Sequence, residues 1–169
     1  MKVTLLMAIT VDGKTGKNPD HFPDWTGKED KHLFREITEK AGAVIMGSKT
    51  FDTMGSPLPG RKNIVLTRRR DRLSKWPNLV FTGQEPGEIL NGLQQDGFSE
   101  VILAGGATIN LLFAKARLID EIIVTIVPKI FGTGISLFPE KIDLSLSLYD
   151  VKRIGKDLIM ARYSVIRDL

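Results

Sequence analysis

The sequence predicts one α/β domain over residues 1–169, with a central mixed, mostly parallel sheet flanked by helices and a C-terminal antiparallel hairpin. Three observations carry this. Short, β-branched, nearly uninterrupted apolar runs recur along the chain, as strands covered on both faces require. Segments of helical spacing lie between them and supply the crossovers that parallel strands need. In the last third the pattern changes to period-two alternation around Gly155-Lys156-Asp157, a hairpin signature. No repeat, low-complexity tract or Ser/Gly linker divides the chain.

The first strand is VTLLMAI within the opening MKVTLLMAIT; its apolar stretch runs into polar residues within a few positions and no small-residue cleavage site follows, so a signal peptide is not expected. A helix over 28–40 (KEDKHLFREITEK) begins behind a capping box, with Thr26 as N-cap and Glu29 three residues on. AVIM (43–46) is the next strand, SKTFDTM (48–54) a helix, and NIVLT (63–67) and LVFT (79–82) are strands. PGEILNGLQQDG (86–97) is helical, VILA (101–104) extended, TINLLFAKA (108–116) helical and IIVTIV (122–127) extended. LSLSLYDVKRI and LIMARYSVIRDL form the hairpin.

Composition narrows the function classes. Hydrophobic residues make up 42% and charged residues 26%, which supports a real core and excludes disorder. No apolar run approaches the ~18 residues of a membrane helix. The absence of cysteine removes disulfides, thiolate metal sites and a Cys nucleophile, and two histidines give no basis for a metal site. The cytoplasm is the expected location. A net charge of +4 suits an anionic small molecule and falls short of a nucleic-acid surface.

Two glycine turns follow strands and precede helices: Met46-Gly47-Ser48-Lys49-Thr50 and Ala104-Gly105-Gly106-Ala107-Thr108. Each either permits a tight turn or presents a helix N-terminus to an anion, and two together favour a ligand with two phosphates. On the first helix Leu33, Phe34 and Ile37 form the buried stripe, and Asp30 falls on it, four residues before Phe34. A carboxylate there either leans outward in the first turn, where the helix dipole favours it, or is held inside for a purpose at the cost of a raised pKa.

The segment Val44-Ile45-Met46-Gly47-Ser48-Lys49-Thr50-Phe51, followed by Pro57-Leu58-Pro59-Gly60-Arg61-Lys62-Asn63, resembles the dihydrofolate reductase family, with its M-G-R-x-T-[WF] and P-L-P-G-R-x-N pattern. Trp25 and Asp30 match that family's tryptophan and acid at the same separation; Phe34 and Thr38 match its aromatic and threonine. The resemblance implies a dihydrofolate reductase-like fold and NADPH-dependent hydride transfer to dihydrofolate, with Asp30 and Trp25 as catalytic residues. Asp30 would hold the amino-pyrimidine edge while a water delivers the proton. Leu6, Ala8, Phe34, Met54, Leu58 and Thr125 would surround the substrate; each apolar one taken alone is equally a core residue. Arg61, unless merely an exposed loop arginine, would clamp the substrate carboxylate.

For NADPH the same resemblance implies Gly47, Thr50, Gly105, Gly106, Ala107 and Thr108 at the pyrophosphate and Ala8, Ile9 and Gly16 near the nicotinamide. Lys49, Thr67 and Arg68 would hold the 2′-phosphate. The partners implied are the small-molecule substrate alone, without nucleic acid or membrane, in a monomer or homodimer.

Departures are present. Ser48 replaces the usual Arg, and Asn110 stands in the place of a Tyr beside the nicotinamide. Phe131-Gly132-Thr133-Gly134-Ile135-Ser136-Leu137-Phe138-Pro139 replaces a Gly-Asp-Thr loop, which predicts a different closure over the site. Thr10-Val11-Asp12-Gly13-Lys14 and Leu118-Ile119-Asp120-Glu121 look instead like the riboflavin-pathway pyrimidine reductases, whose substrate is a ribosylaminopyrimidine phosphate. That reduction is the alternative; a non-catalytic nucleotide- or nucleic-acid-binding module is a third reading, disfavoured because no aromatics interleave with Arg68-Arg69-Arg70-Asp71-Arg72.

Overall fold

The computed structural model describes residues 1–167. Its main sheet has eight strands: β1 (Lys2–Thr10), β3 (Ala43–Gly47), β4 (Lys62–Leu66), β5 (Leu79–Thr82), β6 (Glu100–Leu103), β7 (Glu121–Val127), β9 (Leu146–Ile154) and β10 (Leu158–Val165). They lie in the order β5-β4-β3-β6-β1-β7-β10-β9. The first six are mutually parallel, whereas β10 runs antiparallel to both β7 and β9. The sheet is therefore mixed and mostly parallel, and the C-terminal hairpin stands where the alternation placed it. Asp168 and Leu169, at the end of the second hairpin run, lie outside the described residues.

Helices cover both faces of the sheet, which is why the parallel strands are apolar without alternation. On one face α1 (Lys28–Ala41) lays Leu33, Phe34 and Ile37 against Leu6, Ile102, Ile123 and Met160. Farther along that layer Phe51 of α2 (Ser48–Met54) packs on Val44, Met46 and Val65. On the other face α3 (Pro86–Gln95) and α4 (Ala107–Lys115) bury Leu90, Leu93 and Phe113 against Val3, Leu5, Ile45 and Leu103. Leu5 pairs with Leu103 of β6 on one side and Ile122 of β7 on the other, so β1 sits at the centre. The chain winds outward from β1 to β5 and returns at β6, and this reversal opens a crevice at the carboxyl ends of the strands. No helix among the described residues is long and apolar enough to cross a membrane.

Three features differ from expectation. A 3-10 turn at Pro23–Thr26 precedes α1, so Thr26 is already helical and its hydroxyl donates to the Pro23 carbonyl at 3.5 Å. The N-cap is Gly27 at φ 90°, a left-handed hinge between the two helices, and no side chain caps α1. The capping box at Thr26 and Glu29 does not form; a true one, Glu85 with Glu88, opens α3. Finally β2 (Lys14–Gly16) and β8 (Ile135–Ser136) make a separate two-stranded sheet, too short and polar to register as strands in the sequence.

Candidate active site

Because β3 and β6 are neighbours, the two glycine turns that follow them lie side by side. The Gly47 amide donates to the Gly105 carbonyl at 2.9 Å, and α2 and α4 begin there with Gly47 and Gly106 as N-caps and no capping side chain. No side chain therefore meets the first-turn N–H groups of either helix, although in α4 the Ile109 amide donates to the Gly106 carbonyl at 3.0 Å. Close packing accounts for two of the glycines. A Cβ on Gly47 would stand 2.9 Å from Ile109 Cγ1, and one on Gly105, at φ 85°, would stand 2.9 Å from Met7 Sδ.

In front of these turns a cavity of about 310 Å³ opens between β1, α1, α2 and the loop after β2. Of the residues assigned to substrate or catalysis, Leu6, Ala8, Trp25, Asp30, Phe34 and Met54 line it. Gly16, Thr50, Gly106 and Ala107, assigned to the cofactor, line it too. Thr125 is fully buried, and its hydroxyl is near enough to Asp30 to stabilise the carboxylate although it has no partner at ordinary hydrogen-bond distance. The remaining assigned residues stand off the wall. Ile9 packs partly into the core, Gly47 and Gly105 are buried within the turns and bonded to each other, and Thr108 is exposed on α4. Lys49 is exposed and 3.6 Å from Asp20; Thr67 accepts the Arg69 amide, and Arg68 is exposed. Leu58 packs near Val44 and Met46. Arg61 is buried, its Nε donating to the Pro59 carbonyl and its Nη1 to Thr38 Oγ1, each at 2.8 Å.

Asp30 dominates the electrostatics. Burial raises its pKa above the ordinary carboxylate value, and the hydroxyls of Thr26 and Thr125 and the charge of Lys31 offset part of that rise. It shares the cavity wall with the indole of Trp25, the ring of Phe34 and the side chains of Leu6 and Met54, and among the described residues it is the one acid there. Trp25 Nε1 is buried and has no acceptor among the described residues. The carboxyl is thus the acceptor that this set of polar groups presents to a planar ligand, whereas the indole N–H and the Thr125 hydroxyl are buried from the cavity surface.

The loops close over this set. Gly16 pairs with Ile135, which lines the cavity, and the backbones approach so tightly that a Cβ on Gly134 would lie 2.4 Å from the Gly16 carbonyl oxygen. The Asp12 carboxylate accepts the amides of Phe131 and Gly132, at 3.2 and 2.7 Å, and the Thr10 hydroxyl, and these bonds hold its pKa below the usual range. Asn110 is buried away from the cavity, where its Nδ2 donates to the Leu137 carbonyl and anchors the same loop from the other side. Trp25, Phe131 and His21 form an aromatic cluster under the closure.

Several wall residues escaped the sequence reading: Met7, Thr15, Asn18, His21, Thr53 and Ile135 among them. Thr53 was recoverable, since Thr50, Thr53 and Met54 share one face of α2. Asn18, His21 and Ile135 come from loops whose placement depends on the β2–β8 pairing.

The model of the RibD C-terminal domain family matches residues 1–160. Dihydrofolate reductase type 15 of Escherichia coli is 34% identical, over 83% of this chain and 83% of its own length. A pyrimidine reductase-like protein from Corynebacterium diphtheriae superposes with a TM-score of 0.77 at 16% identity, over 99% of this chain and 92% of the other. RibD of Acinetobacter baumannii superposes with a TM-score of 0.80 at 20% identity, over 98% of this chain and 58% of the other. At those identities the two structures show a shared fold.

Proposed function

The chain belongs to the reductase superfamily that joins the dihydrofolate reductases to the RibD C-terminal domains, and from that premise we propose that it reduces 7,8-dihydrofolate with NADPH, as one domain spanning the chain. The observation that carries this reading is the lone Asp30 carboxyl among apolar and aromatic walls. A flat ring with an N–H and an amino group on one edge satisfies both carboxylate oxygens, and Trp25, Phe34, Leu6 and Met54 cover its faces. A phosphorylated ribose tail would meet a single cationic side chain there, since Lys31 is the one lysine or arginine among the described residues of the cavity wall.

NADPH, when bound, supplies the hydride, so the residues need only position, desolvate and manage a proton. The adjoining uncapped starts of α2 and α4 fit a pyrophosphate, with Thr50, Gly106 and Ala107 facing the cavity. Lys49 and Arg68 provide positive charge for a 2′-phosphate. Asp30, with its raised pKa, holds the substrate edge and favours protonation of the ring nitrogen next to the carbon that accepts hydride, the proton arriving through water. The β2–β8 closure keeps bulk water from the rings.

The reading is tested by following NADPH absorbance with dihydrofolate and then with a ribosylaminopyrimidine phosphate. Turnover of dihydrofolate supports it; turnover of the pyrimidine alone establishes the second reading, which the RibD C-terminal match and Lys31 at the cavity favour.

A further inference from the structure

The residues that line the cavity and are also exposed mark its mouth: Asn18, Pro19, Pro23 and Lys31. Lys31 is the one charged side chain among them. It follows Asp30 directly on α1, so the carboxyl inside and the ammonium at the opening belong to adjacent residues. That ammonium rests 5.8 Å from the centre of the Phe22 ring, itself about half exposed. On the same helix His32 faces Glu36 and Arg35 pairs with Glu39, each four residues on. Lys31 has Arg35 at that spacing and Lys28 three residues back, so α1 offers it like charge, and it makes no ion pair among the described residues. Arg61 is buried off the cavity wall, its Nε and Nη1 committed to Pro59 and Thr38.

We infer that Lys31 is a specificity-determining residue, a cation at the mouth that selects reduced pterins whose tail carries a carboxylate over those whose tail is neutral. The inference rests on the pterin reading of the cavity and adds the residue that reads the tail. A ring engaged by Asp30 lies among Trp25, Phe34, Leu6 and Met54, so a substituent too long for the cavity leaves past the rim. An anionic group there meets an ammonium that no carboxylate already neutralises. Because Lys31 is exposed, water and salt screen the attraction, and the result is a preference, not an absolute requirement. The charge of Lys31 also reaches Asp30 and opposes the rise that burial gives that carboxyl; this second effect falls on every substrate alike and is separable from tail recognition.

The test compares 7,8-dihydrofolate with its diamide, in which both glutamate carboxyls are carboxamides of the same size, in the wild type, Lys31→Met and Lys31→Arg. The readout is the ratio of kcat/KM between the two substrates, in which the effect on Asp30 cancels. The wild type should favour dihydrofolate about threefold, through KM, and added salt should shrink that preference. Lys31→Met keeps an unbranched stem beside Phe22 and should abolish the preference, whereas Lys31→Arg, which keeps the charge, should retain it. A wild type that does not distinguish the two substrates, or a Lys31→Met enzyme with the wild-type ratio, overturns the inference and leaves the pterin reading standing. Failure of all three proteins to oxidise NADPH with either pterin overturns the pterin reading, and this inference with it.

Discussion

At the scale of single residues, Asp30 makes opposite demands on stability and activity. Its folded pKa lies above the ordinary Asp value of 3.8, so between those two values the native state holds a proton that the unfolded chain has released. Stability contributed by the group therefore falls as pH rises through that window, and at neutral pH the fold carries the cost of a buried carboxylate. Asp30→Asn should raise Tm at pH 7 by a few degrees, an advantage that disappears below pH 3.8, as calorimetry across the pH range would show. The same substitution should lower turnover by about 10²-fold or more in the NADPH assay, because the amide cannot favour the protonated substrate. Lys49 and Arg68 are exposed and make a separable prediction. Reversing both charges should weaken NADPH about tenfold more than NADH in equilibrium binding, since only NADPH carries the 2′-phosphate.

At the scale of elements, two short pieces govern access to the site. The β2–β8 pairing depends on Gly134, whose φ of 144° and 2.4 Å clearance from the Gly16 carbonyl leave no space for a side chain. Gly134→Ala should open that pairing and raise KM several-fold. Because the small sheet is peripheral to the main core, thermal unfolding should show a loss of only about 1–3 kcal/mol. The 3-10 turn ahead of α1 is the second piece. It brings Trp25 and Thr26 inward beside Asp30, and Gly27 then redirects the chain so that Asp30 enters α1 facing the cavity. The sequence spacing of Trp25 and Asp30 was visible, but the hinge between them was not, since a plausible Thr26 cap competed with it.

At the scale of the whole molecule, the cavity is the consequence of strand order. β1 lies between β6 and β7, and the chain reverses direction across the sheet at that point, so β1, α1, α2 and the starts of the glycine-bounded helices all converge at one edge. A ligand bridging these elements stabilises the native state by mass action. NADPH at 100 times its dissociation constant should add roughly 2.7 kcal/mol, read as a rise in Tm that grows with ligand concentration. The absence of such a rise would remove the assignment of the two helix starts to the cofactor.

The apolar runs, the helical crossovers and the switch to alternation near Gly155 fixed the sheet and its flanking helices in the linear code, because burial on two faces leaves a composition that local reading detects. Asp30 was legible for the same reason, as a charge out of place on an apolar stripe. Distant partners were not legible: Gly47 against Gly105, Gly16 against Ile135, Asn110 against Leu137 and Arg61 against Thr38 and Glu39. Local periodicity reports which face of an element is buried, whereas the groups that meet across a crevice are selected by the packing of elements far apart in the chain. Tertiary structure alone decided that the carboxyl, the two helix starts and the closing loops share one cavity.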